Sequence, residues 1–274
     1  MDNGLFWLGR DRRGQGIVYR ANGYTGIRIS THAVEWQIQQ YTDMSDAIGY
    51  TYQQDGHSFY VLVFPSANTT WVYDAATQAW HERAGFTDGN FTRHRGNCQM
   101  SFNNKIVIGD FENGNIYSFD LEDYSDNGSI QKWLRSWRAL PTGTNNLKRT
   151  AQHSLQLDAQ AGFLLDPVTE DIYLTTEDGF RLVTESYNNL IDETTLSVNP
   201  PPQFMLRWSD DGGHTWSNEH WMSMGKIGEY YRRAFARRMG MTLKLRDRVY
   251  ELSGTDPVKI AIMGAQLNVT PTNA

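Results

Sequence analysis

A single cysteine, Cys98, stands in a chain of 274 residues, so no disulfide can form within it. No run approaches about 18 apolar residues, which excludes a membrane-spanning helix. The opening Met1-Asp2-Asn3-Gly4 carries no basic region followed by an apolar stretch and so argues against a signal peptide. Basic residues are outnumbered, 25 Lys and Arg against 31 Asp and Glu, and the net charge of −6 speaks against a simple nucleic-acid binder. There is no P-loop, no dinucleotide-binding glycine pattern and no Ser-His-Asp nucleophile elbow. His94 precedes Cys98 by four residues, but no CxxC or HxxxH pair accompanies them. A zinc site needs three or four ligands, so a polar loop and a buried thiol are expected here. Asp110, Glu112, Glu122, Asp123 and Asp126 form an acidic stretch without the spacing of a calcium loop, and a solvated loop face is expected. No metal and no cofactor are expected.

Aromatic residues and glycine are abundant: 9 Trp, 14 Tyr, 12 Phe and 24 Gly. Aromatic side chains suit pleated, half-buried surfaces and glycine suits the turns between them, so the composition points to an all-β fold. The chain enters a strand pattern almost at once. Leu5 to Gly9 and Ile17 to Tyr19 are apolar around a polar, Gly-rich loop, as in a β-hairpin. Such an abrupt start is one that a fragment or truncated gene would give. Val34, Ile38 and Tyr41 fall at helical spacing, with Ser30 or Thr31 as N-cap, and predict one short amphipathic helix.

Strand patterns then crowd together. Ile48–Tyr52, Phe59–Phe64, Thr70–Tyr73 and Ala79–Arg83 are separated by tight turns, the first of them Asp55-Gly56. Four short antiparallel strands make one propeller blade. Cys98–Phe102, Lys105–Gly109 and Asn115–Asp120 begin a second such unit, and Trp133–Trp137 is placed to close it. Tyr19, Tyr73 and Tyr117 recur at intervals of 54 and 44 residues, close to the roughly 40–50 of propeller blades. Residues 141–200 read as connecting strands and loops. They follow the Gly-, Asn- and Thr-rich stretch Leu140–Arg149 and include Leu155–Leu165, Ile172–Val183 and turns at Asp166-Pro167 and Asp178-Gly179. Pro200-Pro201-Pro202 is a stiff break. The expected organisation is therefore propeller blades over 1–140, a connection over 141–200, and a C-terminal β blade over 201–274.

Two features of that last part stand out. Ser209-Asp210-Asp211-Gly212-Gly213-His214-Thr215-Trp216 fits the Asp-box pattern, with Ser209, Asp211, Gly213, Thr215 and Trp216 at the defining positions. Its role is structural: the Asp carboxylate accepts backbone N–H groups in a tight hairpin, glycine supplies the unusual φ, and the Trp packs beneath. Sialidases carry such boxes, but this chain has one, without the arginine cluster and Tyr–Glu pair of that chemistry. The segment Lys226 to Arg248 holds eight basic and two acidic residues, a net of +6 that leaves −12 for the remainder of the chain. Arg232, Arg233, Arg237 and Arg238 are its candidate subunit-interface residues, since arginine suits bidentate pairing at interfaces.

Several blocks together resemble one family. They are Tyr50 to Leu62, Thr70 to Asp74 and Gly109 to Tyr117, then Leu206 through the Asp box to Tyr230, Arg246 to Tyr250 and Asp256 to Val258. The chain resembles the packaged-DNA stabilisation, or tail-hub, proteins of short-tailed bacteriophages and prophages. The family is longer at its N-terminus, and Leu140 to Thr195 matches less well. The resemblance implies a non-enzymatic virion tail protein made in the host cytoplasm and assembled as a ring, a hexamer, below the portal and its adaptor. It would close the channel after packaging and give a platform for the tail needle and tailspikes, with packaged DNA nearby and no membrane partner. The rival readings are a carbohydrate- or receptor-binding propeller, with Trp71, Trp80 or Trp216 stacking on sugars, and a sialidase-like glycosidase.

Overall fold

The computed structural model describes residues 4–11, 14–138, 149–160, 168–173, 191–197, 201–226, 228–242 and 248–272. More than half of them are strand, with one short helix, and the chain falls into two compact units, Met1–Asn127 and Gly128–Ala274.

In the first unit, β1 (Phe6–Asp11), β2 (Gly14–Asn22) and β3 (Thr25–Arg28) form one antiparallel sheet. The helix α1 (His32–Gln39) follows, with Thr31 as its N-cap accepting the Val34 N–H at 3.4 Å. A four-stranded meander comes next: β4 (Ile48–Gln54), β5 (His57–Phe64), β6 (Thr69–Asp74) and β7 (Ala79–Glu82). The hairpin β8 (Ala84–Thr87) and β9 (Asn90–Arg93) precedes a third sheet of β10 (Gly96–Phe102), β11 (Lys105–Asp110) and β12 (Ile116–Ser118). Asp55 and Gly56 both have positive φ, 49° and 77°, as do Asn103 and Asn104 at 48° and 58°. Two successive left-handed residues match the twist of the flanking strands and lock each hairpin's register.

β5 shows how these sheets stack. Tyr60, Leu62 and Phe64 point one way, into a core with Val18 of β2 and Val34 and Ile38 of α1. Val61 and Val63 point the other way and join Tyr52, Val72 and the flanking Ile106 and Phe119. A central strand buried on both faces needs an apolar sheet neighbour on each side, which is how successive propeller blades cover one another. Arg83 lies 5.5, 5.8 and 5.6 Å from the rings of Tyr52, Phe59 and Phe119.

The second unit is built differently. β13 (Trp133–Arg138), β20 (Val249–Gly254), β17 (Gln203–Ser209) and β18 (His220–Ser223) form a sheet in that order. A second sheet runs β19 (Ala234–Arg237), β14 (Thr150–Ala159), β21 (Ile262–Pro271). Their inner faces share one core: Leu155, Leu157, Ala234 and Ala236 meet Phe204, Leu206, Tyr250 and Leu252. Two sheets closing face to face on alternating apolar residues make a β-sandwich. β15 (Val168–Tyr173) and β16 (Ile191–Ser197) pair with each other.

Trp133–Trp137 does not close a blade, contrary to the expectation from sequence. As β13 it pairs with β20, where the Trp133 indole lies on Gly254 so closely that a Cβ there would fall 2.6 Å from its Nε1. Trp137 packs on Tyr250, with ring centroids 5.8 Å apart. The units divide at Asn127/Gly128 rather than at 140, and β14, from the stretch read as connecting, is the central strand of a sheet. Cys98 is exposed on β10 and not buried, on the same face of the strand as the exposed Met100 and Phe102. The turns Asp166-Pro167 and Asp178-Gly179, and most of Leu140–Arg149, Leu155–Leu165 and Ile172–Val183 beyond β14 and β15, lie outside the described residues.

His94 gives the first unit a pH dependence. Its Nδ1 accepts the Gly96 N–H at 3.0 Å and its ring lies 5.5 Å from Phe119. Burial, reinforced by the nearby Arg83 and Arg95 charges, pushes its pKa down to about 3. The unfolded histidine titrates near 6.5, so below that pH the unfolded chain binds a proton that the folded chain refuses. Stability present above about pH 6.5 is therefore lost as the pH falls. Denaturant titrations should show a loss of about 1 kcal/mol per pH unit between pH 6 and 5 that His94→Asn removes. Equal slopes for the two chains would contradict this.

Candidate functional site

The Asp box begins where β17 ends. Ser209 is buried, and its hydroxyl donates to Asp211 Oδ1 at 2.6 Å while accepting the Gly213 N–H at 2.8 Å. Asp211 Oδ1 also accepts the N–H groups of His214 and Thr215 at 2.9 and 2.8 Å, and Oδ2 takes the Thr215 hydroxyl at 2.6 Å. These bonds, the Ser209 and Thr215 hydroxyls first, hold the Asp211 carboxyl far below the usual carboxylate range. Gly212 and Gly213 adopt φ of 78° and 106°, which a side chain would oppose. Trp216 is half-buried beneath the Arg207 guanidinium, 4.7 Å from its ring, and Arg207 is ion-paired with Glu251. Every functional group in the box is spent on holding its own turn.

Asp210, which the box pattern does not require, has a different task. Its two oxygens take the Nε and Nη2 of Arg248 at 2.6 and 2.7 Å. Arg248 is 1% exposed, the largest fully buried side chain among the described residues. Its remaining donors go to the carbonyls of Met239 at 2.7 Å and Met241 at 3.3 Å. Burial alone would lower the pKa of Arg248, and the Asp210 pairing more than offsets this, so the net shift is upward. The clamp thus ties the Asp-box loop to the backbone just after Arg237 and Arg238. Sequence reasoning counted Arg248 only as one of the eight basic residues of its segment and missed this. The available signal was the second aspartate of the box, a charge with no role in the turn.

The four arginines singled out from sequence lie on β19 and its flanks, and all four are exposed. Ala234 and Ala236 turn into the core, which sends Phe235 and Arg237 outward. Arg232 pairs with Glu229 at 3.0 Å and Arg233 with Asp158 at 3.4 Å. Arg237 lies 4.8 Å from the Phe235 ring, and neither it nor Arg238 has a carboxylate partner among the described residues. Tyr230 and Tyr231 stand 69% and 85% exposed on the approach to β19. Arginine with exposed aromatic residues, and little lysine, is the composition of a protein–protein contact surface.

The other candidates are placed elsewhere. Trp71 and Trp80 are half-buried and donate to Tyr41 Oη and the Ile29 carbonyl, both at 2.9 Å. The acidic stretch is divided. Arg95 draws in Asp110 at 2.9 Å, Glu112 at 3.4 Å and Asp126 at 3.5 Å, whereas Asp120, Glu122 and Asp123 remain exposed. Among the described residues no three His, Cys, Asp or Glu side chains gather as metal ligands would.

Two family models match the chain, one over each unit. The first, described as Bacteriophage P22 Gp10, beta-propeller, matches residues 1–124. The second, described as Bacteriophage P22 Gp10, beta-sandwich, matches residues 181–270. The chain belongs to the bacteriophage P22 Gp10 family. No curated protein matches it. Membership makes it a phage structural protein with a propeller and a sandwich domain, and the two names fit the stacked sheets of the first unit and the paired sheets of the second. It also makes the Asp box an element of a virion protein's sandwich rather than of a sialidase propeller.

The Asp210–Arg248 clamp is expected to support this Gp10-family sandwich. Removing one partner of a buried, hydrogen-bonded pair strands the other, so Asp210→Ala should destabilise the second unit by about 3 kcal/mol in denaturant titrations. Adding Arg248→Met should restore part of that loss. An unchanged midpoint for Asp210→Ala would show that the clamp contributes no stability.

Proposed function

We propose that this chain closes the head–tail channel after DNA packaging and forms the tail hub, as a ring of copies and without catalysis. The observation that carries the reading is the exposed Arg and aromatic surface of β19, with Arg232, Arg233, Arg237 and Arg238, in a protein of a phage structural family. Packed DNA pushes outward on the closure. A ring resists by repeating one modest interface around its axis, so each copy needs two different surfaces that complement one another. The chain's charge is segregated in the way such pairing needs, +6 over residues 226–248 and −12 over the rest. An acidic wall would also repel DNA phosphates and let the genome slide past.

On this reading the propeller unit, residues 1–127, and the sandwich unit with its Asp box, residues 128–274, belong to one hub subunit. The ring, a hexamer, sits in the virion tail below the portal and adaptor and bears the tail needle and tailspikes. The packaged DNA lies close by. Synthesis is in the host cytoplasm.

The test is to stop translation of this gene early in the phage that carries it and count DNA-filled heads at lysis and again after purification. Heads that fill and then leak are the expected result. Heads that stay full and infect normally would refute the sealing role.

A further inference from the structure

The exposed arginines of β19 form a pattern. Along the outer face of the strand Arg233, Phe235 and Arg237 alternate with the inward Ala234 and Ala236, so an aromatic ring is flanked by two guanidinium groups. Arg238 follows immediately. Its φ is 58°, in the left-handed region that favours glycine or asparagine. Its backbone N–H is fixed to the His153 carbonyl at 2.9 Å, while the side chain is exposed and without a carboxylate partner among the described residues. The strand beside it adds no competing charge except Asp158, which Arg233 already holds: Ser154 and Gln156 of β14 are the registered partners of Arg237 and Phe235.

The first unit carries the opposite pattern. Asp120, Leu121, Glu122 and Asp123 form an exposed turn, with Leu121 apolar between carboxylates. Asp120 accepts the Glu122 N–H at 2.9 Å, and Asp123 accepts the Ser125 N–H and hydroxyl at 2.9 and 2.8 Å. These bonds fix the shape of the turn. They leave its charge uncancelled, for no cation pairs with Asp120, Glu122 or Asp123 among the described residues. Arg95 is engaged with Asp110, Glu112 and Asp126 beside them.

We propose that the Arg233–Phe235–Arg237–Arg238 surface of one copy docks on the Asp120–Asp123 turn of the next, head to tail. The apolar centre of each patch, Phe235 and Leu121, faces the other inside a ring of opposite charges. A contact between two different surfaces leaves one of each free at either end, and a rotation that closes makes a ring. The inference rests on the proposal that copies form a ring, and assigns the surfaces that join them.

Sedimentation velocity of the purified full chain tests it. Three variants are compared with the parent: Arg237→Glu with Arg238→Glu; Asp120→Lys with Glu122→Lys and Asp123→Lys; and all five together. All five positions are exposed, and an unchanged unfolding midpoint checks that each variant folds. The parent should assemble, less tightly at high salt. Each partial variant should weaken assembly by about tenfold or more. The fivefold variant, with both charges exchanged, should recover to within about threefold of the parent. Assembly that survives both partial variants, or that the exchange does not recover, leaves the ring and overturns this contact. A parent chain that stays monomeric under all conditions overturns the ring reading and the contact together.

Discussion

The sandwich depends on one buried arginine. Arg248 reaches from the start of β20 and spends its donors on the Asp210 carboxylate and on the carbonyls of Met239 and Met241. Those carbonyls follow β19, beyond its registered pairs with β14, and would otherwise have to find partners elsewhere. A buried guanidinium is costly to desolvate, and only a nearly complete set of hydrogen bonds offsets that cost. The arrangement has a geometric effect beyond stability. It fixes the Asp-box loop, at the end of one sheet, to the turn that leaves the other, so the exposed arginines of β19 are carried on a braced segment. The Asp box itself, with Asp211 holding its own turn, becomes the rigid mount from which Asp210 is presented.

The first unit solves its packing with aromatic mass. β5 buries both faces, and rings stack along them: Phe6, from β1 of another sheet, on Tyr60 at 5.0 Å and Tyr52, from the adjacent β4, on Phe59 at 4.9 Å. Arg83 enters this cluster as a flat cation against three rings, a position that guanidinium tolerates better than an ammonium group because it is weakly hydrated and planar. Arg95 collects three carboxylates, one from the end of β11 and two from the loops after it. The unit's interior is mainly apolar and aromatic, with Ser30, Glu35, Thr70 and Asp74 among the polar side chains it buries.

Much of this was legible in the sequence because it is local. Short strand-forming runs between tight turns marked β4 to β7, two-residue turns at Asp55-Gly56 and Asn103-Asn104 set the hairpins, and the spacing of Val34 and Ile38 marked α1. The Asp box announced its own hydrogen bonds by residue type, and the density of arginine marked β19. What was hidden is what depends on distant partners. β13 reads as a fourth blade strand until Gly254, more than a hundred residues on, is seen to receive its indole. β14 reads as connection because both its neighbours come from far along the chain. Arg248 looks like any other basic residue in its segment, since burial of a charge is decided by the fold around it. The exposure of Cys98 follows from the face of β10 on which it stands, and which face is covered is decided by the fold around the strand.

The order of pairing around β14 sets a clock on synthesis. The sheets of the first unit are meanders whose neighbours lie close in sequence, so they can close while the chain is still emerging from the ribosome. β14 is held on one side by β19 and on the other by the ten residues of β21, Ile262–Pro271. The strand bearing the exposed arginines therefore gains its full support only once residue 271 is out of the exit tunnel. A surface assembled last stays unformed on growing chains, and nascent neighbours on one polysome have nothing finished to grip.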